Sequence, residues 1–175
     1  AHSIAVDASN NVYVSGFTYS SDFDITAGAF QSSIAGDWDI FVSKLNADGT
    51  DLIYSTYIGG SGSDFAVSNA VDANNNLYIT GYTTSTNYIT TAGAFQTINN
   101  GGVDGFITKW NASGTALIYS TYIGGNNGDY SRAIAIDTSN NAYITGNTNS
   151  NNFVTSNGAF QNGYNGLDDI FVCKL

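Results

Sequence analysis

A 65-residue period governs this chain. Asp7, Asp72 and Asp137 keep that spacing, as do Gly16, Gly81 and Gly146, then Phe30, Phe95 and Phe160. No insertion or deletion interrupts the frame in 175 residues, and Tyr54-Ser-Thr-Tyr-Ile-Gly-Gly60 recurs letter for letter at Tyr119 to Gly125. Self-similarity at a fixed period of this kind marks a solenoid, a propeller or an array, in which each unit is one supersecondary element stacked on the next. The units run 1–65, 66–130 and 131–175, the last incomplete.

Within a unit the pattern predicts four strands, a to d. Strand a is Ser3 to Val6, followed by a turn at Ala8-Ser9-Asn10-Asn11, where Asn tolerates left-handed geometry. Strand b is Val12 to Thr18, rich in β-branched and aromatic residues. A long loop follows, in which Thr26 to Gln31 reads as one helical turn capped by Thr26. Strand c is Asp39 to Leu45, and Asn46-Ala-Asp-Gly49 turns it into strand d, Leu52 to Ile58. Ile40 and Val42 point to one face of strand c while Phe41 and Leu45 point to the other, so the sheet is covered on both sides. Four-stranded antiparallel units stacked face to face are the blades of a β-propeller, and a β-helix needs a much shorter repeat. The expected fold is therefore all-β, a propeller of which this chain supplies about 2.7 blades.

These segments resemble the SBBP (seven-bladed β-propeller) repeat family of bacterial secreted and surface proteins. The resemblance is carried by Ile4 to Gly16, Gly28-Ala-Phe-Gln31, Asp39 to Leu45 and Leu52 to Gly60, and by their copies along essentially the whole chain. The family often has Pro where this chain has Asp24, Ile89 and Val154, and again at Ala27, Ala92 and Asn157. The resemblance implies a propeller module outside the cell or on its surface. It implies no catalytic motif.

Charge narrows the partners. All 14 acidic residues are Asp, against four basic ones, for a formal net charge of −10. Such a surface repels phosphate backbones and offers no basic patch to anionic lipids, so neither nucleic acid nor membrane insertion is expected. The single Cys173 aligns with Ser43 and Thr108 and reads as a small strand residue.

No residue set promises chemistry, and no catalytic residue, cofactor or metal is expected. His2 belongs to no repeated constellation, and histidine catalysis needs an oriented partner. Asp22, Asp24 and Asp37 read as a solvated acidic loop. Gly59-Gly-Ser-Gly-Ser-Asp64 imitates a calcium nonapeptide, but its copy, 65 residues on, loses a Gly position, so it reads as a turn between blades. Asn46, Asp48 and Asp51 have no bidentate Glu to complete a calcium loop. Asp39, Asp104 and Asp169, with Lys44, Lys109 and Lys174, recur in every unit and are expected to do a structural task each blade shares. Trp110 aligns with Leu45 and Leu175 and is expected in the core.

Ligand contacts are sought where the units differ. The divergent stretch of the b–c loop carries Trp38 in the first unit and Tyr164 in the third, and Tyr19 opens the first loop. These three aromatics are the candidate binding residues, since loops on a rigid scaffold commonly carry recognition. The expected function is a non-enzymatic extracellular or bacterial cell-surface module acting as scaffold, spacer or adhesion element. The alternatives are a carbohydrate-binding propeller and part of a larger enzyme with its active site outside this chain. Expected partners are further blades of the same or another chain, and a glycan or surface protein.

Overall fold

Runs of Val, Ile, Tyr and Phe between Asn, Asp and Gly turns give the chain its strands. A computed structural model describes residues 1–175 and contains eleven strands. The first blade is β1 (Ser3–Val6), β2 (Val12–Thr18), β3 (Asp39–Leu45) and β4 (Leu52–Ile58). The second is β5 (Asp64–Val71), β6 (Leu77–Thr83), β7 (Asp104–Trp110) and β8 (Leu117–Ile123). The third is β9 (Asp129–Ile136), β10 (Ala142–Thr148) and β11 (Asp169–Lys174). Each sheet is antiparallel, with its strands side by side in chain order. The first strands of successive blades pack on one another, which puts strand a innermost, as blades around an axis require. Sheet edges fall at Asp64 and Asp129, so Asp64 and Phe65, placed by the repeat frame at the end of the first unit, instead begin the second blade.

The tight a–b turn is built the same way three times. Asp7 Oδ1 accepts the Ser9 and Asn11 amides at 2.9 Å, and Asn10 takes a positive φ of 62°. Asp72 and Asp137 repeat this with Asn75 and Asn140. A left-handed residue costs little when it is Asn. Here it also turns the Asn75 carbonyl toward the first blade, where the Tyr13 hydroxyl sits 3.3 Å from it and 3.3 Å from Asp7 Oδ2. Tyr78 does the same with Asn140 and Asp72, at 3.2 Å each.

The b–c loop corrects one expectation. Thr26 to Gln31 is a single reverse turn, closed by the Ala29 amide on the Thr26 carbonyl with Gly28 at φ 80°, and not a helical turn. The physical reason is that Thr26 serves strand d instead of capping a helix. Its amide donates to the Ser55 carbonyl, and its hydroxyl oxygen accepts the Ser55 amide at 3.0 Å. The loop thus covers the outer edge of β4.

Apolar side chains fill the spaces between blades. Tyr13, Ile40, Val42 and Ile58 of the first blade meet Ile79, Phe106 and Tyr122 of the second. Tyr78, Ile107 and Ile123 of the second meet Ala142, Ile144 and Phe171 of the third. Trp110 is fully buried, edge-on to Phe30 at 5.0 Å, and belongs to the core. The outer face of β11 leaves Ile170 83% and Val172 74% exposed.

Candidate functional site

In the first two blades the repeated polar residues are buried or half-buried within the sheets. Lys44 Nζ lies 3.4 Å from Asp7 Oδ2 and 4.6 Å above the Tyr13 ring, and Lys109 repeats this with Asp72 and Tyr78 at 3.5 and 4.6 Å. Lys174 keeps only the aromatic half, 5.2 Å from Tyr143. Burial alone would raise the Asp7 carboxyl, but its Asn11, Ser9 and Lys44 donors outweigh that and hold it at about 2.

Asp39 is fully buried and accepts the Gln31 side-chain amide at 2.6 Å and the Ala35 and Gly36 backbone amides at 2.9 and 3.1 Å. Asp104 takes Gln96 and the Asn100 amide, and Asp169 only the Asn165 amide at 2.8 Å. Beside them stand two buried carboxylates, Asp64 and Asp129, which the sequence marked only as the ends of the Gly-rich turns between blades. Asp64 Oδ2 accepts the Gly60 amide at 2.7 Å and the Ser85 hydroxyl at 2.9 Å, and the Thr83 hydroxyl bonds its other oxygen. Asp129 accepts the Gly125 amide at 2.6 Å and the Ser150 hydroxyl at 2.7 Å. The Gly-rich connection exists to let these acids in: a Cβ on Gly59 would lie 2.6 Å from Asp39 Cγ and 2.8 Å from Asp64 Oδ2. Burial pushes the Asp64 carboxyl up, and burial together with the Asp129 charge pushes Asp104 up to about 6. The Asp64 side chain points inward and ties the Gly-rich connection to the second blade.

Two of the three candidate aromatics come together. Tyr19, 68% exposed, packs edge-on to Trp38 at 4.7 Å, and Trp38 lies 5.4 Å from Phe17 and 6.4 Å from Phe65. Trp38 is locked in place because its carbonyl accepts the Asp64 amide at 2.7 Å, bridging its loop to the next blade. Tyr164 stands apart, its hydroxyl donating to the Leu167 carbonyl of its own loop at 2.6 Å.

The ridge extends further than the loops. His2, Phe17, Phe65, Tyr82 and Tyr130 follow one another with centroid spacings of 4.8, 4.8, 5.0 and 5.1 Å, crossing all three blades. Arg132, the unpaired residue of a bulge in β9, closes the row 4.9 Å from the Tyr130 ring and 5.5 Å from Tyr82. The recurring Gly81 and Gly146 make room here, since a Cβ would run into the Phe65 or Tyr130 carbonyl. Phe17 with Tyr82, and Phe65 with Tyr130, already recur at the 65-residue spacing, and that was the available signal. As strand residues they carried no mark of standing side by side. Half-buried rings with one exposed cation suit flat, partly apolar ligands with hydroxyl groups.

A profile of the SBBP β-propeller repeat matches residues 53–89 and 118–153. The chain carries SBBP repeats at these two segments. Each match begins on the fourth strand of one blade and runs through the first two strands of the next. The SBBP unit therefore spans the blade junction, and Phe65, Tyr82 and Tyr130 of the ridge all fall inside it. A search of curated proteins gives no match.

Proposed function

We propose that this SBBP chain is a non-enzymatic propeller module of an extracellular or bacterial cell-surface protein, acting as a scaffold, spacer or adhesion element. The observation that carries this reading is the ridge from Tyr19 and Trp38 through Phe17, Phe65 and Tyr82 to Tyr130 and Arg132. It brings side chains from all three blades together on a half-exposed surface. The recurring acids and lysines support the same reading, because their partners are the turns and loops of the blades themselves. The acidic Asp, Asn and Thr surface fits a module that stays soluble beside polysaccharide or protein.

A second reading follows from the ridge itself: its ligand is a glycan, stacked on the Trp38 and Tyr19 rings with Arg132 reaching its hydroxyls or carboxylates. Glycan-array binding of the 175-residue chain beside its Trp38→Ala and Tyr19→Ala variants tests both. Saccharide binding weakened about tenfold by either change, as loss of one stacking contact of about 1.4 kcal/mol predicts, supports the glycan reading. Binding indifferent to both changes removes the ridge as the contact surface.

A further inference from the structure

The repeat holds some positions fixed and lets others change, and the two kinds face different ways. Gly16-Phe17-Thr18-Tyr19-Ser20 recurs as Gly81-Tyr82-Thr83-Thr84-Ser85 and as Gly146-Asn147-Thr148-Asn149-Ser150. Gly, Thr and Ser never vary, while the two residues between them do. Alternation along an extended segment explains the split. The fixed residues are buried in the second and third blades, where the Thr83 and Thr148 hydroxyl oxygens accept the Ser85 and Ser150 amides at 2.8 and 3.0 Å. The variable residues, from Phe17 and Tyr19 to Asn147 and Asn149, are exposed or half-exposed.

Two further variable positions join them. His2, Val67 and Arg132 stand one period apart, and Val67 and Arg132 are the unpaired residues of the bulges in β5 and β9, a device that re-aims a side chain. Trp38, Val103 and Asp168 each precede a fixed Asp, and the Trp38 and Val103 carbonyls accept the amide that opens the next blade at 2.7 and 2.8 Å. All four positions meet in the first blade, where Phe17 lies 4.8 Å from His2 and 5.4 Å from Trp38, and Trp38 lies 4.7 Å from Tyr19. Three of them meet again in the third. Arg132 Nε donates to Asn147 Oδ1 at 3.0 Å, and Asn147 Nδ2 donates to Asp168 Oδ1 at 3.3 Å. The same patch thus changes its chemistry from blade to blade. It is aromatic in the first, mixed in the second with Val67, Tyr82, Thr84 and Val103, and polar in the third. Phe65, Tyr82 and Tyr130 link the patches into one track.

We infer that this track binds a neutral, extended β-linked oligosaccharide, and that the variable residues of each blade read one stretch of it. The inference rests on the glycan reading above and adds the ligand's charge, its length and its direction. The aromatic patch takes the apolar C–H face of a pyranose ring. The polar patch takes hydroxyls, with the Arg132 guanidinium donating and the Asp168 carboxylate accepting. Asp168 stands two hydrogen bonds from Arg132, so the polar end has no net charge, while the whole chain carries −10. That field disfavours a polyanion and leaves a neutral chain unaffected. A row of rings crossing three blades calls for an extended ligand, since a compact one would touch a single patch.

The test is isothermal titration of the 175-residue chain with a disaccharide and a hexasaccharide from each of the neutral β-linked glucose, mannose and N-acetylglucosamine series. In at least one series the hexasaccharide should bind about tenfold tighter than the disaccharide, a difference of about 1.4 kcal/mol, because only the longer chain reaches the third blade. Arg132→Gln, at an exposed position, should lower the hexasaccharide to the affinity of the disaccharide. It should leave the disaccharide affinity and the melting temperature as they are. Asn147→Ala should act in the same way, whereas Tyr19→Ala, also exposed, should weaken both lengths alike. Affinity independent of length, an equal loss at both lengths in Arg132→Gln, or tighter binding of a polyuronate would each overturn the inference while the glycan reading stands. A chain that binds no saccharide of either length, neutral or acidic, removes the glycan reading and this inference with it.

Discussion

The two blade junctions share a frame but not a filling. At the first, Ile40 and Ala66 help to form a core of 12 buried residues. At the second, Gly105 and Ser131 occupy the equivalent positions, the three-stranded third sheet supplies no counterpart of Tyr122, and the core has 6. The carboxylates differ in the same direction. Asp39 and Asp64 have partners on both oxygens, whereas Asp104 Oδ1, Asp129 Oδ1 and Ser131 Oγ are buried without one. The turn contacts hardly change, with Lys to Asp at 3.4 and 3.5 Å and Tyr to the next blade's Asn carbonyl at 3.3 and 3.2 Å. Short-range polar clasps are thus reproduced wherever their few residues recur. A packed core needs matching side chains from two units at once, and drift in either unit thins it.

The comparison can be broken most sharply at Ile40. Ile40→Ala should destabilise by about 3 kcal/mol, the cost of a large-to-small change in a filled core. A loss below about 1 kcal/mol in urea denaturation would show that the first junction is no better packed than the second. Ser131→Ala should act in the opposite sense. It installs the first junction's residue and removes a buried hydroxyl without a partner, which should stabilise by about 1 kcal/mol. A melting temperature that falls would mean that Ser131 has a partner after all.

The smallest effect concerns pH. Asp104 is raised from 3.8 to about 6, so its neutral form is the one the fold prefers. The stability it contributes is complete below about pH 3.8 and is lost as pH rises toward 6. Asp7, depressed to about 2, contributes with the opposite sign: its share is present above pH 3.8 and is lost as pH falls toward 2. The melting temperature followed between pH 4 and 6 should therefore fall slightly in the parent chain, and less in Asp104→Asn. Equal slopes would place the orphaned carboxylate outside the energetics of the second junction.

The candidate site was legible in part. Trp38 and Tyr19 stood out because they occur once, in a loop whose copies diverge, and they do meet. Tyr164 met the same criterion yet bonds within its own loop, because position in a divergent loop does not say which way a ring faces. Thr26 read as a helix cap because an isolated Thr before Ala-Gly-Ala fits that pattern. The competing partner, the edge of β4, lies 29 residues away in sequence.

The sequence by itself determined the strand pattern, the hairpin turns, the residues facing each side of strand c and the buried place of Trp110. All of these follow from side-chain alternation and turn chemistry within a few residues, copied at a fixed period. Only the tertiary structure decided that Phe17, Phe65, Tyr82 and Tyr130 form one ridge, that Asp64 turns inward, and that the long b–c loops fold back onto the edges of β4 and β8. Each depends on how far one blade is rotated against the next and on where a long loop folds back. Those quantities are set by the sum of contacts across the junction, and no local pattern encodes them.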